Sequence, residues 1–215
     1  MVEFKIVVSD PESKHDLPVL KVKVKGDPEI GYGEDEKSKR KLPVCKANPK
    51  LIDKLKAVYK IITVRIRKED KKFNYTCRVV EDSKIPENEV HVSLEWLGDN
   101  VGVEECEGEA FRAKAWQITV TSPKADSLIG LKIGDRFDGS IVGLPGVLLE
   151  IRGGSDNSGF PMHPGVAGPV RKRVLLSGPP GFHPREKGER RRKTVHGNVI
   201  SHNIVQINTI IVPRA

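Results

Sequence analysis

The sequence predicts a mainly β protein whose positive charge is concentrated near the C-terminal end. Three observations support this. Several short runs alternate apolar and polar residues, one stretch has helical spacing, and residues 171–193 carry a net charge of +7 against +8 for the whole chain. Alternation with a period of two is typical of strands that bury one face.

The clearest predicted strand is residues 20–25. Leu20, Val22 and Val24 fall on one face, and three lysines fall on the other, which is the pattern of a half-exposed strand with a charged outer side. The remaining predicted strands are residues 4–8, 61–67, 73–80, 90–97, 116–121, 147–151, 194–200 and 204–212.

One amphipathic helix is predicted over residues 49–60. Asn48 provides an N-cap, and Pro49 occupies the first helical position. Apolar residues recur at positions 51, 55, 58, 59 and 62, and such a stripe is expected to pack against a core.

Composition favours a polyanionic partner. The 215-residue chain has a formal net charge of +8 and only 5% aromatic residues. Few aromatics argue against stacking of bases on a sheet, so contacts to phosphates and to RNA shape fit better.

Cys45, Cys77 and Cys106 include no CxxC pair, so neither a zinc site nor a disulfide framework is predicted, and we expect three small, reduced residues. The N-terminus does not resemble a signal peptide, and no apolar run reaches membrane-spanning length.

Residues 81–109 form an acidic block with ten acids and one lysine. Three roles fit this block: pairing with the basic residues of 37–50, facing a basic protein, or keeping the segment soluble, and we favour the last. His91, Glu89 and Glu95 are expected on one solvated strand face, so no catalytic residue is predicted.

Residues 171–193 contain two basic clusters separated by an apolar run and a Gly/Pro loop. A solvated basic face is the plain alternative, but the Gly/Pro punctuation and flanking strands favour RNA, whose phosphates Lys and Arg neutralise. The candidate RNA-binding residues are Arg171, Lys172, Arg173, Arg185, Lys187, Arg190, Arg191, Arg192 and Lys193. The loop of residues 153–165 lacks the Gly-Lys-Ser/Thr ending of a P-loop, and its glycines are expected to allow close packing against RNA.

Two motifs carry a family resemblance: Gly154-Ser155-Asp156 through Gly159-Phe160-Pro161-Met162, and residues 188–195, GERRRKTV. With the N-terminal EFKIVVSDP, they resemble the archaeal and eukaryotic family of small-subunit ribosomal protein six, the "e" type. The resemblance implies a small antiparallel β-barrel core with extended basic loops embedded in rRNA. It also implies that the nine residues above contact the rRNA backbone, with His183 and His196 as weaker candidates. Ribosomal neighbours and a cytoplasmic, ribosomal location are expected, with no cofactor, metal, membrane or small-molecule substrate.

The resemblance covers about the first dozen residues and residues 114–215. We therefore expect residues 1–13 and 114–215 to form the ribosomal core, and residues 14–113 to be an inserted small α+β domain. This segment has 21 basic and 19 acidic residues and is nearly neutral. The favoured function is a structural constituent of the small ribosomal subunit that binds rRNA. The alternatives are a protein-interaction module or an enzyme with its site in residues 14–113.

Overall fold

The computed structural model describes residues 2–13, 18–68 and 71–212. The chain divides into two compact units, one formed by residues 1–9 with 117–215 and the other by residues 10–116. The strands, in chain order, are β1 (Glu3–Ser9), β2 (Leu20–Asp27), β3 (Val44–Ala47), β4 (Ile61–Lys68), β5 (Lys71–Glu81), β6 (Glu89–Ser93), β7 (Glu105–Arg112), β8 (Ala115–Thr121), β9 (Arg136–Asp138), β10 (Leu148–Asp156), β11 (Arg171–Leu176), β12 (Arg191–His196) and β13 (Ile204–Val212). The α-helices are α1 (Glu34–Lys37), α2 (Pro49–Lys54) and α3 (Leu94–Asn100), and Lys124–Leu128 and Gly139–Val142 are short 3-10 helices.

The unit of residues 10–116 is a closed barrel with strand order β2-β6-β3-β5-β4-β7. Its core follows the predicted alternation, since Val22 and Val24 are buried while the neighbouring lysines are largely outside. The helices α2 and α3 supply Leu51 and Leu97 to the same core.

The unit of residues 1–9 and 117–215 contains a five-stranded sheet with the order β8-β1-β13-β10-β9. β1 runs parallel to β13, and β10 runs antiparallel to β13. Phe4, Ile6, Ile151 and Ile207 are fully buried in this unit. β11 and β12 form a separate two-stranded antiparallel ribbon.

The prediction of a mainly β protein with a barrel is confirmed, but the barrel lies elsewhere in the chain. It was expected in residues 1–13 and 114–215, and it occupies the segment expected to be α+β. The barrel also includes the parallel pairs β2–β6 and β3–β5. The strands β3 and β7, which complete the barrel, carry weak apolar patterns and are not among the predicted strands.

Four predicted elements differ from the structure. The helix predicted over residues 49–60 ends at Lys54, because Lys56 adopts a left-handed φ of 51° and Val58 points outward, 67% exposed. The strand predicted over residues 90–97 stops at Ser93 and continues as α3, which buries the adjacent Trp96 and Leu97. The loop predicted from residue 153 begins as strand, since β10 extends to Asp156, and the strand predicted over residues 194–200 is Arg191–His196.

The acidic block supplies the outer face of the barrel wall. Glu105 lies 2.7 Å from Lys23, and Glu109 lies 3.1 Å from Arg67. Glu87 binds Lys50 and Lys54 at 2.7 and 2.8 Å, so one residue of the basic segment 37–50 does pair with the block. Much of this acidity is therefore neutralised by cations of the same unit.

Candidate nucleic-acid interface

The two basic clusters lie side by side on the ribbon of β11 and β12. Arg173 pairs with Thr194, Val174 with Lys193 and Leu175 with Arg192. Six of the nine predicted cations therefore stand on paired strands and not in extended loops, which corrects the expectation. Arg185, Lys187 and Arg190 lie in the connecting segment of residues 177–190, where the structure has no strand.

Alternation gives the ribbon two different faces. Leu176 and Val195 are buried in a small apolar cluster with Val166 and Phe182, and Val174 packs against it. On the other face, Leu175 is 59% exposed opposite Arg192. Exposed cations occur on both faces, because each strand begins with three consecutive basic residues.

Arg171 differs from the other predicted cations because it is anchored within the protein. Its Nε donates to Asp156 Oδ2 at 2.6 Å, and a terminal nitrogen donates to the Asn157 side chain. The guanidinium lies 5.5 Å from the centre of the Phe160 ring. Arg171 therefore fixes the base of the ribbon.

Asp156 is the buried partner in this contact. Its Oδ1 accepts from the backbone N–H groups of Ser158 and Phe160, each at 2.9 Å. Burial by itself would raise the pKa of Asp156, but the hydrogen bonds from Phe160, Arg171 and Ser158 outweigh it and hold the pKa below its usual value. The motif around Asp156 thus supports the ribbon.

The glycines of this motif serve the protein's own packing. A Cβ at Gly154 would collide with the carbonyl oxygen of Gln206 on the paired strand β13. The Met162 N–H donates to the Gly154 carbonyl at 2.9 Å. We expected these glycines to allow close packing against RNA. At Gly154, the missing side chain instead allows two strands of the protein to pack closely.

Glu189 organises the connecting segment. Its carboxylate accepts from the Arg185 backbone N–H at 2.7 Å and lies 2.7 Å from Arg191 Nε. The Arg185 hydrogen bond is the main reason that the pKa of Glu189 is lowered. Arg191 is therefore partly neutralised by its own segment.

The other seven predicted cations have no such partner among the described residues. Within residues 2–13, 18–68 and 71–212, no carboxylate lies within 4.0 Å of their charged groups, and all seven are exposed. They are Lys172, Arg173, Arg185, Lys187, Arg190, Arg192 and Lys193. Their charge is available to an external anion.

The two weaker histidine candidates differ in their exposure to solvent. His183 is exposed in the connecting segment. His196 is 1% exposed, and its Nδ1 lies 3.1 Å from the Gly197 carbonyl oxygen. His196 is therefore part of the interior and cannot reach a phosphate.

The three residues considered as a possible enzyme site, His91, Glu89 and Glu95, do not share one strand face as expected. Glu95 belongs to α3, while His91 and Glu89 belong to β6. The carboxylates of Asp27 and Glu89 each lie 3.8 Å from a ring nitrogen of His91, beyond hydrogen-bond distance. In the described part of the chain, no group of three or more His, Cys, Asp or Glu could hold a metal ion. Among the same residues, no helix is long and apolar enough to span a membrane.

The fold and this site define a mainly β protein that presents a cationic ribbon with little internal neutralisation. Residues 108–215 match the family Ribosomal protein S6e. The small ribosomal subunit protein eS6 of Hyperthermus butylicus is 76% identical over 212 residues, covering 99% of this chain and 98% of that protein. The proteins of the same name from Staphylothermus marinus and Metallosphaera sedula are 57% and 49% identical, covering 98% and 99% of this chain and 99% and 100% of theirs. The chain belongs to the ribosomal protein S6e family, which is not a family of enzymes.

The comparisons correct the expectation of an insertion. These relatives match nearly the whole chain, so residues 14–113 are not an addition peculiar to this protein. The two long motifs behind the resemblance lie in residues 108–215, the part that the family match covers, while the N-terminal EFKIVVSDP lies outside it. Residues 14–113 carry no motif of that kind, and the barrel that they form can be recognised only from the pairing of its strands.

Proposed function

We propose that this protein is a structural constituent of the small ribosomal subunit and that it binds rRNA through the ribbon and its connecting segment. Its family and the names of its relatives support the ribosomal role. The observation that carries the RNA contact is the set of seven exposed cations without a carboxylate partner in the described residues. On the ribosome, its neighbours are rRNA and other ribosomal proteins.

The proposed mechanism is electrostatic. Each cation that reaches a phosphate displaces a condensed counterion, and that release drives binding. Contacts to phosphates position a protein without reading bases, so rRNA shape selects the site. A ribbon with cations on both faces is suited to lie between two phosphate-lined surfaces, while Arg171 and Asp156 hold its base in place.

We further propose that the two units divide the work. Residues 117–212 supply most of the phosphate contacts, and the unit of residues 10–116 supplies few. Support comes from the barrel wall, where Lys25 pairs with Glu89 at 3.0 Å and Lys46 pairs with Asp27 and Glu29 at 2.8 and 2.6 Å. Cations already paired in this way have less charge to offer an external polyanion.

The test is binding of the full chain to naked small-subunit rRNA across a salt series. The ribbon variant changes Arg173, Arg192 and Lys193 to Ala. We expect weaker binding and a log–log salt slope that is shallower by roughly 2–3, since each phosphate contact contributes about 0.7–0.9.

The matched control removes the same charge from the barrel unit by changing Lys37, Arg40 and Lys41 to Ala, all exposed. We expect its slope to stay within about 0.5 of the unmodified chain. Equal losses in the two triple variants would show that net charge alone drives binding and would contradict the ribbon assignment.

A further inference from the structure

Two of the three cysteines meet inside the barrel. Cys45 in β3 and Cys77 in β5 are both 0% exposed, and their Sγ atoms lie 2.7 Å apart. Cys45 is in register with Val79, so Cys77 is one step along the same inward face of the neighbouring strand. Cys106 lies in β7 and is partly exposed.

We propose that Cys45 and Cys77 form an intramolecular disulfide that ties β3 to β5. A disulfide needs an S–S separation of about 2.0 Å, so the two sulfurs must approach by less than about 1 Å. The two side chains lie diagonally on adjacent strands and both point into the barrel, so the sulfurs already lie within about 1 Å of bonding distance.

The reaction is a two-electron oxidation, and a small-molecule disulfide is the oxidant. One cysteine thiolate attacks this disulfide, which forms a mixed disulfide and releases one small thiol. The second cysteine then attacks the protein sulfur of the mixed disulfide and expels the other small thiol. The two cysteines lose two electrons and two protons, and the oxidant ends as two thiols.

Burial determines when the bond forms. The reactive species is the thiolate, and burial raises the pKa of the Cys77 thiol well above its usual value. Neither sulfur is reachable by an external disulfide in the closed barrel. The bond therefore forms before the barrel closes or during its opening, and the closed barrel then shields it from reductants. This behaviour is that of a structural staple.

The bond would add a covalent link to the shortest strand of the barrel. β3 has four residues and is the shortest of the six barrel strands, and it pairs with β6 at Lys46 and Ala47. The two cysteines are 32 positions apart. Linking them restricts the unfolded chain over that loop and so favours the folded barrel.

The experiment uses the full chain with Cys106→Ser, which leaves only the two buried thiols. The protein is refolded in a mixture of reduced and oxidised glutathione, denatured, and labelled with N-ethylmaleimide before mass measurement. We expect no label without prior reduction and two labels after it, with a cross-linked peptide pair containing positions 45 and 77. Adding Cys45→Ser or Cys77→Ser should leave no internal bond. A folded Cys106→Ser protein that takes two labels without reduction would overturn the proposal.

Thermal unfolding tests the stapling role separately. We expect the reduced Cys106→Ser protein to melt lower than its oxidised form by on the order of 10 °C. The variant lacking all three cysteines should melt at the same temperature with and without reductant. Equal melting temperatures for the oxidised and reduced forms of Cys106→Ser would refute the staple.

Discussion

The contact between Asp156 and Arg171 gives the sharpest prediction about how the ribbon is held. In Asp156→Asn, the side-chain oxygen can keep the two backbone hydrogen bonds from Ser158 and Phe160, since both go to Oδ1. The new amide group then faces Arg171 Nε, and two donors cannot bond to each other. The variant therefore removes one charged hydrogen bond and little else.

The size of the effect follows from the exposure of the partners. A hydrogen bond between charged groups contributes roughly 1.5–3 kcal/mol. The Arg171 side chain is 39% exposed while Asp156 is buried, so solvent screening reduces our expectation to about 1–2 kcal/mol. Because hydrogen bonds lower the native pKa of Asp156, this stabilisation is complete above the ordinary Asp value of 3.8 and is lost as pH falls through the native pKa.

The assay is amide hydrogen exchange of the ribbon strands near pH 7, in a double-mutant cycle of Asp156→Asn and Arg171→Met. Each single change should speed exchange roughly 5- to 30-fold, and the coupling energy should be about 1–2 kcal/mol. The pair Arg136–Glu150 in the same unit is the control, because its atoms are 3.3 Å apart and the Arg136 side chain is 56% exposed, so its coupling should be below about 0.5 kcal/mol. A coupling below about 0.3 kcal/mol for Asp156 and Arg171 would refute the reasoning.

Three further predictions concern stability. Arg112→Met leaves the buried carboxylate of Asp10 without its partner at 2.6 Å. We expect the free energy of unfolding to fall by about 3–5 kcal/mol, measured by urea unfolding followed by tryptophan fluorescence. Gly154→Ala should destabilise by roughly 1–3 kcal/mol because of the collision with strand β13, whereas Gly178→Ala, which meets no atom within 4 Å, should leave the melting temperature nearly unchanged. Hydrogen bonds from two lysines lower the pKa of Glu87 to about 2, so the stability that these contacts add is present above pH 4.5 and is lost as pH falls towards 2. In Glu87→Gln, the melting temperature should therefore change less between pH 4.5 and pH 2. An unchanged pH dependence would count against the contact.

Strands with strong apolar alternation were predictable from the sequence, while weakly patterned strands were not. The predicted strand 204–212 coincides with β13, whose buried residues alternate through Ile207 and Thr209 to Ile211. In β7 the outward positions are glutamates, and the inward positions are Cys106, Gly108 and Ala110, which give little apolar signal. Its identity as a strand depends on neighbours distant in sequence, the lysines of β2 and the arginines of β4. The closure of the barrel therefore could not be predicted from local sequence patterns.

The same distinction applies to the candidate site. The cluster of charge near the C-terminal end was apparent in the sequence, but which cations are available was not. Arg171 is occupied by Asp156, which is 15 positions away, and Arg191 is held by Glu189. His196 is buried although the sequence around it is basic. Such differences arise from tertiary contacts, and a count of charges treats all these residues alike.

We propose that the ribbon lies against rRNA in the assembled subunit. The most direct measurement places a photo-crosslinking amino acid at Leu175, which is 59% exposed on the ribbon, or at Val58, which is 67% exposed on the barrel unit. Small subunits assembled with each variant are irradiated, and the crosslinked partners are identified. We expect an rRNA crosslink from position 175 and none from position 58. An rRNA crosslink from position 58 together with none from position 175 would contradict this proposal.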